Sequence, residues 1–174
     1  MNSRPSGQTA PDPGTIDGVN ARLLTELHAD PLLSMSELAR RVGMSAPAVT
    51  ERVQRLQRAG VITGFRMDVA PEALGMTVTA LIRVRPGPSQ LPKVAETARR
   101  TPNVVECHRI TGEDCFILKV HAPSMAGLEE IIDRFVLHGQ TTTSIVVSTP
   151  VPLRPLPVPD PGGDSTAGPG QRTT

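Results

Sequence analysis

The feature that most narrows what this chain can fold into is a change of apolar period at Gly60. Before it, apolar residues recur every three or four positions, as the buried stripes of short helices require. Beyond it, runs that alternate residue by residue are interleaved with helical runs. Such a chain needs two kinds of core: a small helical one, then a sheet backed by helices. In the first part Ile16, Val19, Leu23, Leu24 and Leu27 form one stripe, ended by Asp30-Pro31. Ser34-Met35-Ser36-Glu37 has the form of a capping box and opens a second helix with Leu38 and Val42 inside. Gly43 supplies a left-handed turn position. Ser45 suits the cap of a third helix, with Pro47 tolerated in its first turn. Val49, Val53 and Leu56 are its buried stripe, and Gly60 fits its end.

After Gly60, residues 61–66 suit a short strand or wing, and residues 71–76 a connector. Val78, Ala80, Ile82 and Val84 then share one face of a strand, with Leu81 on the other. Pro86-Gly87-Pro88 breaks it, and Leu91, Val94, Ala95 and Ala98 mark a helix. Residues 104–110 and 116–121 read as strands joined by the tight turn Thr111-Gly112-Glu113-Asp114. Ser124 caps a helix lined by Leu128, Ile131, Ile132 and Phe135 and ended by Gly139; residues 141–149 read as a fourth strand. The order β-α-β-β-α-β is the split βαβ, ferredoxin-like pattern, so the fold class is α+β. Two helices leave one sheet face uncovered; if that face is apolar, a second copy is its simplest cover. Ten of the 18 prolines and six of the 15 glycines fall in residues 1–14 and 150–174. The expected division is a disordered tail (1–14), a three-helix domain (15–66), a linker (67–76), a βαββαβ domain (77–153) and a disordered Pro/Gly-rich tail (154–174).

Composition removes several function classes. With no Trp, no Tyr and three Phe the chain has no stacking platform for single strands. No apolar run approaches the ~20 residues of a membrane span. The N-terminus lacks an apolar signal-peptide core, so a cytoplasmic location and no membrane partner are expected. The four His show no metal-ligand spacing, and no phosphate loop or nucleophile motif is present. A catalytic role, a metal and a resident cofactor are therefore not expected. Simple hairpin register pairs Ile110 with Cys115, so Cys107 and Cys115 are not expected to bridge.

Charge is segregated. The whole chain carries +1, yet residues 40–66 hold Arg40, Arg41, Arg52, Arg55, Arg58 and Arg66 against Glu51 alone, a net +5. Residues 67–149 hold eight positive and nine negative side chains. Three short helices with a Gly turn between the second and third describe a helix-turn-helix, and a basic patch there suits double-stranded DNA. With Val49, Val53 and Leu56 inward, Ser45, Ala46, Pro47, Thr50 and Gln54 lie toward the outer and flanking surface. Gln54 suits adenine, and Thr50 a thymine methyl or a phosphate. Arg40, Arg52 and Arg55 suit phosphates.

Residues 16–65, and within them SELARRV (36–42), Gly43, Ser45 and ERVQRLQRAGVI (51–62), resemble the N-terminal DNA-binding domain of the Lrp/AsnC, or feast/famine, transcriptional regulators. VVECHRITGEDCFILKVHAPS and TTTSIVVSTPV resemble that family's ligand-sensing and oligomerisation domain. The resemblance implies a dimer built through the sensor sheets, often assembled into octamers, and an amino acid or similar small effector bound between adjacent dimers. It implies an effector site at Thr111, Gly112, Glu113 and Asp114, with Met125, Thr142, Thr143 and Ser144 near the same cleft. Cys115 and Phe116 stand where many members carry an acidic residue and a Tyr. Two alternatives share the pattern: a sirohaem decarboxylase-like enzyme using His108 and His121 beside a tetrapyrrole, and an oligomeric interaction protein using its Pro-rich tail.

Overall fold

A computed structural model describes residues 16–159; the expectations of disorder for residues 1–14 and for the end of the chain from residue 160 lie outside them. The described residues form two compact units, one of residues up to Met67 together with the segment from Leu153, the other Asp68–Pro152.

The first unit is three helices, α1 (Gly18–Ala29), α2 (Met35–Val42) and α3 (Ala46–Arg58). α1 starts later than its apolar stripe suggests, because the Asp17 side chain caps it by accepting from the Asn20 N–H at 2.7 Å. The Ser34 hydroxyl caps α2 by accepting from the Glu37 N–H at 3.1 Å. Only this half of the capping box is used, since the Glu37 carboxylate turns to Arg40 and Arg41 instead. Gly43 ends α2 in the left-handed region, at φ +69°. Leu23, Leu27, Leu38, Ala39, Val42, Val49 and Val53 form the core. Residues 61–67 follow without strand structure: a strand needs a ladder partner, and this segment pairs with none of the described residues.

The second unit opens with a short 3₁₀ turn (Pro71–Leu74) in place of an irregular connector. It continues as β1 (Val78–Pro86), α4 (Leu91–Arg100), β2 (Val104–Arg109), β3 (Phe116–Ala122), α5 (Met125–Val136) and β4 (Gly139–Ile145). The four strands form one antiparallel sheet in the order β2-β3-β1-β4. Ala80, Ile82 and Val84 of β1, Leu118 and Val120 of β3, and Leu128, Ile131 and Phe135 of α5 sit in one core with Val94 of α4. β4 begins and ends earlier than the Thr-rich run suggests, because its register is set by β1: Pro86 pairs with Gly139 and Ala80 with Ile145. Gly139 is thus the first residue of a strand rather than the stop of α5. A Cβ there would lie 2.1 Å from the Arg85 carbonyl oxygen, so only glycine allows this approach. The Ile110 N–H donates to the Cys115 carbonyl at 2.8 Å, the hairpin pairing the sequence implies, and both thiols are unbridged. Among the described residues no helix is long and apolar enough to cross a membrane.

Candidate nucleic-acid interface and ligand site

α3 presents its surface according to the helical period. Val49, Val53 and Leu56 are buried, and Pro47, Glu51, Gln54, Arg55 and Arg58 are exposed. Pro47, Glu51, Gln54 and Arg58, at spacings of four, three and four, form the row directly opposite the buried stripe. Thr50 lies on the flank, half-buried, and its hydroxyl donates to the Ala46 carbonyl at 2.9 Å. Ser45 stands at the N-cap position, but its side chain makes no capping bond. The hydroxyl and the first-turn N–H groups of Ala46 and Ala48 are therefore open to an acceptor from outside.

The arginines divide into two kinds. Arg52 donates to Asp17 at 2.8 Å and to Asn20 at 3.0 Å, tying α3 to the start of α1. These contacts hold the Asp17 carboxyl below its ordinary range, the Asn20 N–H contributing most and Arg52 next. Arg40 and Arg41 both donate to Glu37, and Arg41 also reaches Glu26 at 2.9 Å. Held first by Arg40 and then by Arg41, the Glu37 carboxyl falls to about 2. The side chains of Arg55 and Arg58 make no hydrogen bond or ion pair with another described residue. Sequence patterning missed Asp17 as the partner of Arg52, although an Asp directly before a periodic run is a cap signal. It also passed over Glu51 and Arg58 in the outer row.

In the second unit the turn after β2 carries Gly112 at φ +104° and Cys115 at φ +48°. The Cys115 Sγ lies 3.7 Å from the Glu113 carbonyl oxygen and 3.9 Å from that of Gly112. Thr111, Gly112 and Glu113 are exposed. Glu113 and Asp114 are not isolated carboxylates: Arg85 of β1 donates to Glu113, and Arg83 lies 3.5 Å from Asp114. No spacing reveals these pairs, which depend on β1 lying beside β3. Arg83 also sits opposite Thr142 of β4, which brings this hydroxyl to the same end of the open sheet face. Ser144 shares that face, opposite Leu81, whereas Thr143 pairs with Ile82 and lies on the helix-covered side. Met125 begins α5, beyond the far end of β3 from the turn, and a seven-residue strand spans about 20 Å. One chain therefore gathers the turn and Thr142, but not Met125.

The open face is mixed rather than apolar: Leu81 and Ile117 lie among Arg83, Arg85, Lys119, Glu106 and His108. The two histidines offered to a tetrapyrrole already have partners. The His121 ring bonds the Thr79 hydroxyl at 2.9 Å, and burial pushes its pKa down. His108 contacts Glu106 at 3.4 Å.

Comparison with known proteins agrees with this architecture. The family model described as the Lrp/AsnC ligand binding domain matches residues 77–156, and that of a winged helix-turn-helix DNA-binding domain matches residues 17–63. The chain is similar to the HTH-type transcriptional regulator LrpC of Bacillus subtilis, at 31% identity over 76% of this chain and 92% of LrpC. To the regulator LrpA of Mycobacterium tuberculosis it is 32% identical over 77% of this chain and 91% of that protein. The solved structure of LrpC superposes with a TM-score of 0.73, at 30% identity, covering 77% of this chain and 96% of that one. The feast or famine regulatory protein of M. tuberculosis complexed with L-methionine gives a TM-score of 0.76 at 32% identity, over 82% of this chain and 99% of that one.

Proposed function

The chain belongs to the Lrp/AsnC family of transcriptional regulators, and from that membership and the outer face of α3 we infer a sequence-specific duplex-DNA-binding regulator that answers to an amino acid. The observation that carries the reading is the exposed row of α3 with Arg55 and Arg58 unengaged beside an uncapped helix start. Ser45, Ala46 and Pro47 allow close approach, and a helix N-terminus favours a phosphate. Thr50 and Gln54 contact bases, and Arg55 and Arg40 contact phosphates. Arg52 acts by positioning α3, since its guanidinium is bonded to α1.

The effector is of the amino-acid class, a reading supported by the L-methionine complex of the M. tuberculosis protein. Its carboxylate meets the N–H groups around Gly112 and the hydroxyls of Thr111, Thr142 and Ser144; its ammonium meets Glu113 or Asp114. Thr143 shapes the strand from the other face. Met125, remote from the turn within one chain, joins from another copy. The protein works in the cytoplasm as a dimer built through the sensor sheets, and as assemblies of dimers. Paired α3 helices then meet half-sites about 34–36 Å apart or multiples of it.

To act as a switch, the effector must favour one assembly by a coupling of typically about 1–3 kcal/mol. Sedimentation and duplex binding, each run against a panel of amino acids, test the reading. One amino acid should change both the assembly and the DNA affinity by about 5- to 150-fold at most. Identical profiles throughout the panel would remove the effector, and failure to bind any duplex at low ionic strength would remove the regulator.

A further inference from the structure

Residues 16–67 contain five acidic side chains, and four of them are engaged. Asp17 accepts from Asn20 and Arg52. Glu26 accepts from Arg41, Asp30 from the Leu32 N–H, and Glu37 from Arg40 and Arg41. Glu51 accepts nothing from any described residue. Arg55 stands four positions on, the spacing at which a Glu–Arg pair readily forms on a helix, and the two do not pair. Glu51 is exposed and lies in the outer row, one turn after Pro47 and one turn before Gln54 and Arg55.

An unneutralised carboxylate in the middle of a DNA-facing surface is costly. The surface of duplex DNA is lined with phosphates, and every contact with them is weakened by a nearby negative charge. The cost is offset only where the carboxylate meets a donor. In the major groove the base-edge donors are the exocyclic amines of cytosine and adenine. Cytosine is the base whose N4 amine suits a carboxylate alone, whereas adenine's adjoining N7 acceptor calls for a side chain that also donates, as Gln54 does.

We propose that Glu51 is a specificity-determining residue that accepts from the N4 amine of a cytosine in each half-site, and that it lowers affinity for other duplexes through phosphate repulsion. The proposal rests on the DNA-binding reading of α3 and adds the base that one of its side chains selects. Glu51 then acts in two ways at once, attracting one base pair and disfavouring non-specific DNA.

The test is selection from randomised duplexes with the full-length protein, its Glu51→Ala variant and its Glu51→Gln variant, followed by binding to the selected site and to random DNA. The native chain should select a C·G pair at one position per half-site. Glu51→Ala should lose that preference, so that discrimination there falls by about tenfold or more while affinity for random duplexes rises. Glu51→Gln should move the preference toward A·T. Circular dichroism should be unchanged in both variants, since the side chain is exposed and unbonded. Identical selected sites in all three proteins, with every duplex bound equally more tightly by the variants, would reduce Glu51 to simple repulsion and overturn the proposal. A native protein that binds no duplex would instead fail the DNA-binding reading itself, and the proposal with it.

Discussion

Two arginines three positions apart on α3 illustrate how little residue type alone decides. Arg52 and Arg55 look alike in the sequence, and both suit a phosphate. The period of the helix turns Arg52 toward α1, where Asp17 and Asn20 take its guanidinium, and turns Arg55 outward. Replacing Arg55 with Ala should weaken specific and random duplexes alike and reduce the salt slope of binding by about one, with thermal stability unchanged. Replacing Arg52 with Ala should leave the salt slope alone and cost about 1 kcal/mol of stability in denaturant titrations. A reduced slope for Arg52→Ala would reassign that side chain to the DNA. Glu37 is a second residue whose role is electrostatic. Its carboxyl is held at about 2 against an ordinary 4.5, first by Arg40 and then by Arg41. A depressed folded value means that its stabilising contribution is complete above about pH 4.5 and is lost as the pH falls toward 2. The melting temperature of Glu37→Gln should therefore lie below that of the native chain at pH 6 and converge with it only as the pH falls through about 2. A constant gap across that range would show that the pairs contribute nothing that titrates.

Among the elements, the sequence pattern located each helix and each sheet strand, because each carries a period or a cap of its own. Ser34, Gly43 and Ser124 cap or end helices where their types suggest. What the pattern did not locate depends on neighbours. The Thr-rich run ends as a strand at Ile145, where its register with β1 last pairs it, opposite Ala80. The wing segment has no ladder partner among the described residues, however strand-like its own. The pairing of Glu113 and Asp114 with Arg85 and Arg83 follows from strand order, which no local signal states. Gly139 shows the same dependence. Its lack of a side chain looks like a helix stop, yet the constraint is the Arg85 carbonyl beside it. Gly139→Ala should force β4 off β1 and destabilise the second unit by about 1–3 kcal/mol, read from urea unfolding. An unchanged midpoint would mean that the strand edge yields without loss.

For the molecule as a whole, the decisive property is separation. One hydrophobic cluster serves the three helices and another serves the sheet with α4 and α5. The stretch of residues 40–66 in the first unit carries a net +5, while the second unit is nearly balanced in charge. A fragment of residues 68–152 should therefore fold alone, with native-like circular dichroism, and self-associate without binding duplex DNA. An unfolded fragment would show that its core is not self-sufficient. The bent turn after β2 has a practical consequence for following such a protein at work. Its Cys115 thiol sits at the proposed effector site, whereas burial raises the pKa of the other thiol, Cys107, and keeps it less reactive. A maleimide dye should thus attach at Cys115 first, and bound amino acid should slow that attachment. Because the chain has neither Trp nor Tyr, the dye's emission would be read against an almost dark protein. The native polypeptide already carries a reporter position at the proposed effector site.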